Sequence, residues 1–132
     1  MDCYFGSYMR DEPEDCQKPM VVSFIIPELG ISFKAPFDGG QDETDFASLL
    51  ALLEFVDLNR KLFGDKALQI FGDNVKVVRQ VNDERAFEDV FQPFIARAIS
   101  YRNKYRFSLE WTPLERNRAL FPRLDTPQNP PH

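Results

Sequence analysis

Residue types able to do acid–base, nucleophilic or metal chemistry are unevenly supplied in this chain of 132 residues. Its single histidine, His132, comes last and follows Pro130 and Pro131. A Ser-His-Asp triad, a Cys-His pair and a His-ligated zinc are therefore not expected. Cys3 and Cys16 are too few for a disulfide framework and lack metal-ligand spacing. They read as two reduced thiols of a cytosolic protein. Any catalysis must then rest on carboxylates, of which there are 21 against 16 basic side chains, a net charge of -5. That balance opposes broad, sequence-independent binding to nucleic acid, which depends on neutralising phosphates.

The elements that would position those carboxylates follow from hydrophobic periodicity. Asp2 to Met9 is short and aromatic, Met20 to Ile26 is β-branched and continuous, and Ile31 to Phe37 alternates. Together they predict an antiparallel meander of three strands. From Thr44 to Phe63 the period becomes helical, with Thr44 or Asp45 as the cap. Ala67 to Phe71 predicts a strand, and Gly72-Asp73-Asn74 leads into a helix near Val75 to Val81. Asp73 thus falls at the carboxyl end of a strand, where open α/β sheets place their chemistry. A third helix spans about Glu84 to Lys104, with Phe87, Val90 and Phe91 on its apolar side, and Pro93 marks a kink or a break. Tyr105 to Thr112 closes the order βββαβααβ as a strand with Trp111 packed on its face. One domain over 1–121 is expected, then a Pro-rich disordered tail over 122–132. No internal repeat, signal pattern or membrane-length apolar run is visible.

Several strings in this order resemble the ribonuclease H family, in particular its short members. Leu68-Gln69-Ile70-Phe71-Gly72-Asp73-Asn74, continued by Val77-Val78-Arg79-Gln80, is similar to the family's strand ending in Gly-Asp-Ser and the Val-Val-x-Gln helix after it. Ala47-Ser48-Leu49-Leu50-Ala51-Leu52 is similar to the Ala-Glu-Tyr-x-Ala-Leu of its first helix. Trp111-Thr112-Pro113-Leu114-Glu115-Arg116-Asn117 resembles the Trp-Val-Pro-Arg-Glu-x-Asn after its last strand, and Tyr4-Phe5-Gly6-Ser7 resembles Tyr-x-Asp-Gly-Ser without the acid. The resemblance implies an α/β fold with a mixed five-stranded sheet. In the family it implies phosphodiester hydrolysis by two Mg²⁺ or Mn²⁺ ions held on four acids.

Only one of those four acids is present. The first-strand position falls on Phe5 or Gly6, the helix position on Ser48 and the last on Phe121, while Asp73 remains. One carboxylate cannot organise a two-ion site, so no cofactor is expected. Asp2, Glu43 and Asp45 lie near the matched motifs as substitutes, although Glu43 and Asp45 read more simply as charges at the positive end of a helix. Asp73 and Asn74 read equally as caps of the following helix. Ser48 has no base beside it in sequence and reads as an ordinary helical serine.

The implied function is a non-catalytic binding or scaffold module in the cytoplasm, partnered by another protein or by a second copy of itself through an apolar patch at Phe5 and Phe121. Two alternatives stand beside it: a nuclease with rearranged carboxylates, and a non-catalytic nucleic-acid binder. The last rests on Arg97, Arg102, Lys104, Arg106, Arg116, Arg118 and Arg123, which with Glu110 and Glu115 make residues 97 to 123 locally basic.

Overall fold

In the computed structural model, residues 1–10 and 20–120 are described. The expected tail over 122–132, with Arg123, lies outside the described residues, as do Phe121 and Cys16. Three strands open the chain, β1 (Asp2–Met9), β2 (Met20–Ile26) and β3 (Ile31–Phe37), each antiparallel to the one before. The helix α1 (Gln41–Leu58) and a single turn, α2 (Arg60–Phe63), lead to β4 (Leu68–Gly72). Then come α3 (Val75–Asn82), α4 (Gln92–Lys104) and β5 (Phe107–Trp111). β4 runs parallel to β1 and β5 parallel to β4, so the sheet order is β3-β2-β1-β4-β5. This is the mixed five-stranded α/β sheet that the resemblance implied. Among the described residues no helix is long and apolar enough to cross a membrane.

Alternation along the strands builds the core. Cys3 and Phe5 of β1, Phe24 and Ile26 of β2, Leu68 and Ile70 of β4 and Leu109 of β5 are all buried. They join Leu49, Leu52, Leu53 and Val56 of α1, Val77 and Val81 of α3, and Ile95 and Ala98 of α4 in one cluster. Phe46 extends it by stacking on Phe94, with ring centroids 5.5 Å apart. Most of the chain's phenylalanines are absorbed in this way.

Two expected boundaries fail for physical reasons. α1 starts at Gln41 rather than Thr44, because Gly40 supplies the extended cap and the Thr44 hydroxyl turns back to donate to the Gly40 carbonyl at 2.6 Å. Thr44 and Asp45 therefore sit inside the helix, both buried, and neither caps it. The helix expected over Glu84 to Lys104 begins only at Gln92, which places Pro93 in its first turn, where a missing N–H breaks no helical bond. Ahead of it, Glu84 adopts φ 55 and Asp89–Phe91 forms a 3-10 turn. Phe87 and Val90 consequently lie exposed instead of on a buried helical stripe.

The junction of the antiparallel and parallel halves is tight. Phe5 pairs with Gly72, and a Cβ at Gly72 would overlap the Phe5 ring. Gly72→Ala is accordingly expected to lower stability by about 1–3 kcal/mol, the usual range for overpacking. Urea denaturation followed by far-UV circular dichroism measures it. Glu84→Gly, which relieves a left-handed backbone, is expected to raise stability by about 1 kcal/mol in the same assay.

Candidate functional site

The carboxyl ends of β1 and β4 meet the start of α1, and here the chain brings its matched motifs together. Asp73 follows the last residue of β4, next to the Phe5–Gly72 pair. The two registers proposed for the first-strand position separate cleanly. Phe5 turns inward, is 1% exposed and packs over Gly72. It therefore neither fills the cleft nor forms an apolar patch there, contrary to expectation. Gly6 faces the cleft: a Cβ at that position would lie 3.3 Å from Asp73 Oδ1 and 2.8 Å from Asn117 Nδ2.

Of the two caps expected for α3, Asn74 serves and Asp73 does not: Asn74 accepts from the Lys76 and Val77 amides at 3.0 and 3.4 Å. The Asp73 carboxylate instead accepts from Asn117 Nδ2 at 2.5 Å. The same nitrogen donates to the Phe5 carbonyl at 2.8 Å, and Asn117 is fully buried. Ser48 is equally buried, and its hydroxyl lies 2.8 Å from the Gly6 carbonyl and 3.0 Å from that of Thr44. It also accepts from the Ser23 amide at 3.3 Å, so it is committed to the backbone rather than to chemistry.

Asp45 is the residue that sequence reasoning placed wrongly. It lies three positions before Ser48, hence on the same face of α1, and it is a buried cleft carboxylate instead of a solvated helix-end charge. Its Oδ1 accepts from the Ser7 hydroxyl at 2.5 Å, and its Oδ2 accepts from Asn74 at 2.7 Å and Gln41 at 3.1 Å. Burial pushes its carboxyl above the ordinary range despite those three donors, and the charge of Asp73 adds to the rise. The two strand-end polar residues Ser7 and Asn74 were the available signal: each can reach a carboxylate on a helix packed over those ends. Glu43 keeps its expected place in the first turn of α1, beside Asp42. Burial opposes the Asp42 charge, but hydrogen bonds from Asn74 and Lys76 outweigh it and hold its carboxyl below the usual value. Asp2 pairs with Gln69 at the start of β1 and cannot reach the cleft, since four residues of strand span about 13 Å.

This donor set does not fit a pair of divalent ions. The Asp73 oxygen facing the cleft is taken by an amide, and both Asp45 oxygens are taken by protein donors. The helix position carries a hydroxyl already bonded to backbone. Among the described residues no group of three or more His, Cys, Asp or Glu side chains is placed to hold a metal. Cys3 is buried in the core, its thiol pushed up to about 12 by desolvation, so it is inert.

The basic residues grouped by sequence divide between the two ends of β5. Arg116 and Arg118 lie exposed beyond Trp111, near the cleft. Trp111 is 53% exposed, not packed as expected, and its indole N–H donates to the Asp73 carbonyl at 3.2 Å. At the opposite end Lys104 and Arg106 border a cavity of about 340 Å³ with Arg60 and Lys66. Lys104 is spent on Asp57 at 2.8 Å, and Arg102 on Asn82 at 2.7 Å and the Phe107 ring. Two of these cations close the last turn of α4, where they offset the negative helix end. Arg97 is exposed on α4.

Solved structures place this architecture. The chain superposes on RNase H1 from the halophilic archaeon Halobacterium salinarum NRC-1 with a TM-score of 0.70 and 18% identity, covering 89% of each chain. An RNase H1 isolated from compost, in complex with an RNA/DNA hybrid, gives 0.69 and 18%, over 89% of this chain and 88% of that one. The N-terminal RNase H domain of a Mycobacterium tuberculosis protein gives 0.66 and 17%, over 89% and 90%. No family model matches the sequence, and no curated protein matches it. At these identities the likeness establishes the fold, which is ribonuclease H-like.

The Asp57 cluster at the far end makes a pH prediction. Asp57 accepts from Lys104 and from the Tyr105 hydroxyl, and these bonds lower its carboxyl from 3.8 to about 2. A lowered carboxylate contributes stability that is present above its unfolded value and lost as pH falls through the folded one. Wild-type protein is expected to lose stability between pH 3.8 and about 2, whereas Asp57→Asn should show a flatter acid limb. Thermal melts across that range by circular dichroism check it.

Proposed function

We propose that this chain is a ribonuclease H-like domain without hydrolytic chemistry that serves as a binding or scaffold module for a protein partner or a second copy of itself, in the cytoplasm. The observation carrying this reading is that Asp73 stands alone, the one acid retained from the expected set, with its oxygen bonded to Asn117. Ser48 and Gly6 supply no charge at the two neighbouring positions. Among the described residues no acidic cluster is placed to hold the ions that would activate water and stabilise the leaving oxygen. The proposed module requires neither Mg²⁺ nor Mn²⁺.

A second reading is a nucleic-acid binder without catalysis. It is favoured by the half-exposed Trp111 beside Arg116 and Arg118 at the mouth of the cleft, an aromatic surface flanked by cations. A protein of the same fold has been solved with an RNA/DNA hybrid. The overall charge of -5 works against this reading, so binding would have to be local and salt-sensitive.

Incubation with an RNA–DNA hybrid in Mg²⁺ and in Mn²⁺ is expected to give no cleavage above a protein-free control. Turnover that disappears in Asp73→Asn would overturn the proposal. For the second reading, fluorescence anisotropy at low salt should detect a hybrid bound by wild type and released by Arg116→Glu or Arg118→Glu. Absence of binding at low salt removes it.

A further inference from the structure

We propose that the end of the sheet opposite the cleft carries a second site, a pocket for a free mononucleotide whose phosphate is held by Arg106. It goes beyond the non-catalytic reading and does not rest on it. Two cavities meet where β4 and β5 begin. One, of about 340 Å³, has the buried Val56, Phe63 and Leu68 as its floor and Arg60, Lys66 and Lys104 on its rim. The other, of about 420 Å³, runs past Arg102, Gln69 and Ser108. Leu68, Tyr105 and Arg106 line both, so Arg106 stands at the junction. Both volumes lie within the range of small-ligand pockets, roughly 300–1,000 Å³.

The cations differ in what they have left for a ligand. Lys66 pairs with Glu28 at 2.9 Å and Lys104 with Asp57 at 2.8 Å. Arg60 donates its Nε–H to the Tyr105 hydroxyl at 2.9 Å and reaches Asp57 only at 3.5 Å, so most of its fork is unused. Tyr105 donates in turn to Asp57, which ties Arg60, Tyr105 and Lys104 to one acid and sets the rim in place without a ligand. The exposed Arg106 side chain has neither an acid nor a hydrogen-bond acceptor among the described residues. Acids outnumber bases in this chain, so that is not for want of supply.

An open guanidinium fork matches two oxygens of a phosphate, and its plane stacks on a flat base. The phosphate belongs on the Arg102 side of the junction, where the lining holds no acid. Asp65 is the acid of the first lining and opposes further phosphates there, so that half suits the uncharged base, against Val56, Phe63 and Leu68.

Isothermal titration of the full chain with AMP, GMP, CMP and UMP at low salt tests this, beside adenosine and inorganic phosphate. At least one nucleotide is expected to bind at a single site with Kd on the order of 100 µM, about tenfold or more tighter than adenosine or phosphate. Arg106→Glu should weaken binding about tenfold or more. Arg97→Glu, the same charge reversal on α4 outside both linings, should change it less than about twofold. The Arg106 side chain holds nothing else in the fold, so its variant is expected to melt within about 2 °C of wild type. If Arg106→Glu does not fold, Arg106→Gln takes its place, with a loss of about fivefold expected. No saturable heat with any of the four nucleotides overturns the proposal, as do undiminished binding by the Arg106 variant and equal weakening by Arg97→Glu. Inorganic phosphate bound as tightly as the best nucleotide overturns it too, since the base then has no place. A 5′-phosphorylated hexanucleotide bound tighter than that nucleotide marks a strand end as the ligand and likewise overturns it.

Discussion

The packing of the Phe5 ring over Gly72 sets the geometry of everything at the carboxyl end of the sheet. It joins the antiparallel and parallel halves at their shared strand, with the ring turned inward and no side chain opposing it. Because strand residues alternate, committing Phe5 to the core sends Gly6 to the opposite side, toward Asp73 and Asn117. One inward aromatic thus determines that the next position faces the cleft, and the glycine there determines what can enter it. Asn117, carried on the segment after β5, enters.

Above this junction lies a polar joint between α1 and the strand ends. Asp45 is buried, and burial of a carboxylate is costly unless its oxygens are hydrogen-bonded. Ser7 of β1, Asn74 after β4 and Gln41 one turn earlier on α1 supply the donors. Desolvation still prevails over them, since the carboxyl is raised rather than lowered. Such a joint is specific more than it is strong: removing a single donor strands a buried charge, so α1 has only one acceptable register over the sheet. Asn74 ties that register to α3, because it caps α3 with its oxygen while its amide serves Asp42 and Asp45.

The fold was legible because the periodicities were strong. The three strands of the meander read directly, and the run from Leu68 to Gln80 announced a strand, turn and helix. Misreadings came where tertiary contacts override local preference. Thr44 and Asp45 are good caps by type, but Gly40 already ended the preceding loop in the extended conformation, which left them inside the helix. Phe87 and Val90 match a helical stripe with Phe91, but Pro93 is tolerated only in a first turn, which forces the start to Gln92. Within the site, the motif resemblance pointed to Phe5 or Gly6, to Ser48 and to Asp73, and the structure sets Gly6 beside both the Ser48 hydroxyl and Asp73. Sequence alone could not indicate which way Phe5 turns, nor that Asn117 reaches Asp73 across 44 residues. Both depend on the pairing of β1 with β4, a contact between distant parts of the chain. The basic group is split for the same kind of reason: Arg106 precedes β5 and Arg116 follows it, so a strand's length separates residues that sequence had placed together.

A cleft that performs hydrolysis has to keep like charges close together and leave their oxygens open to ions, at some cost to stability. Here the polar atoms are closed off instead. Asp73 is matched by Asn117, Asp45 by Ser7, Gln41 and Asn74, and Asp42 by Asn74 and Lys76 at 2.9 Å. Ser48 is absorbed by backbone. These partners come from β1, β2, α1, α3, the turn after β4 and the segment after β5, so this polar cluster behaves as an extension of the core that fastens six parts of the chain. Exposed apolar surface lies outside it, on Trp111, Leu114, Phe87 and Val90 and, elsewhere among the described residues, on Met9, Phe33, Leu58, Leu62 and Val75.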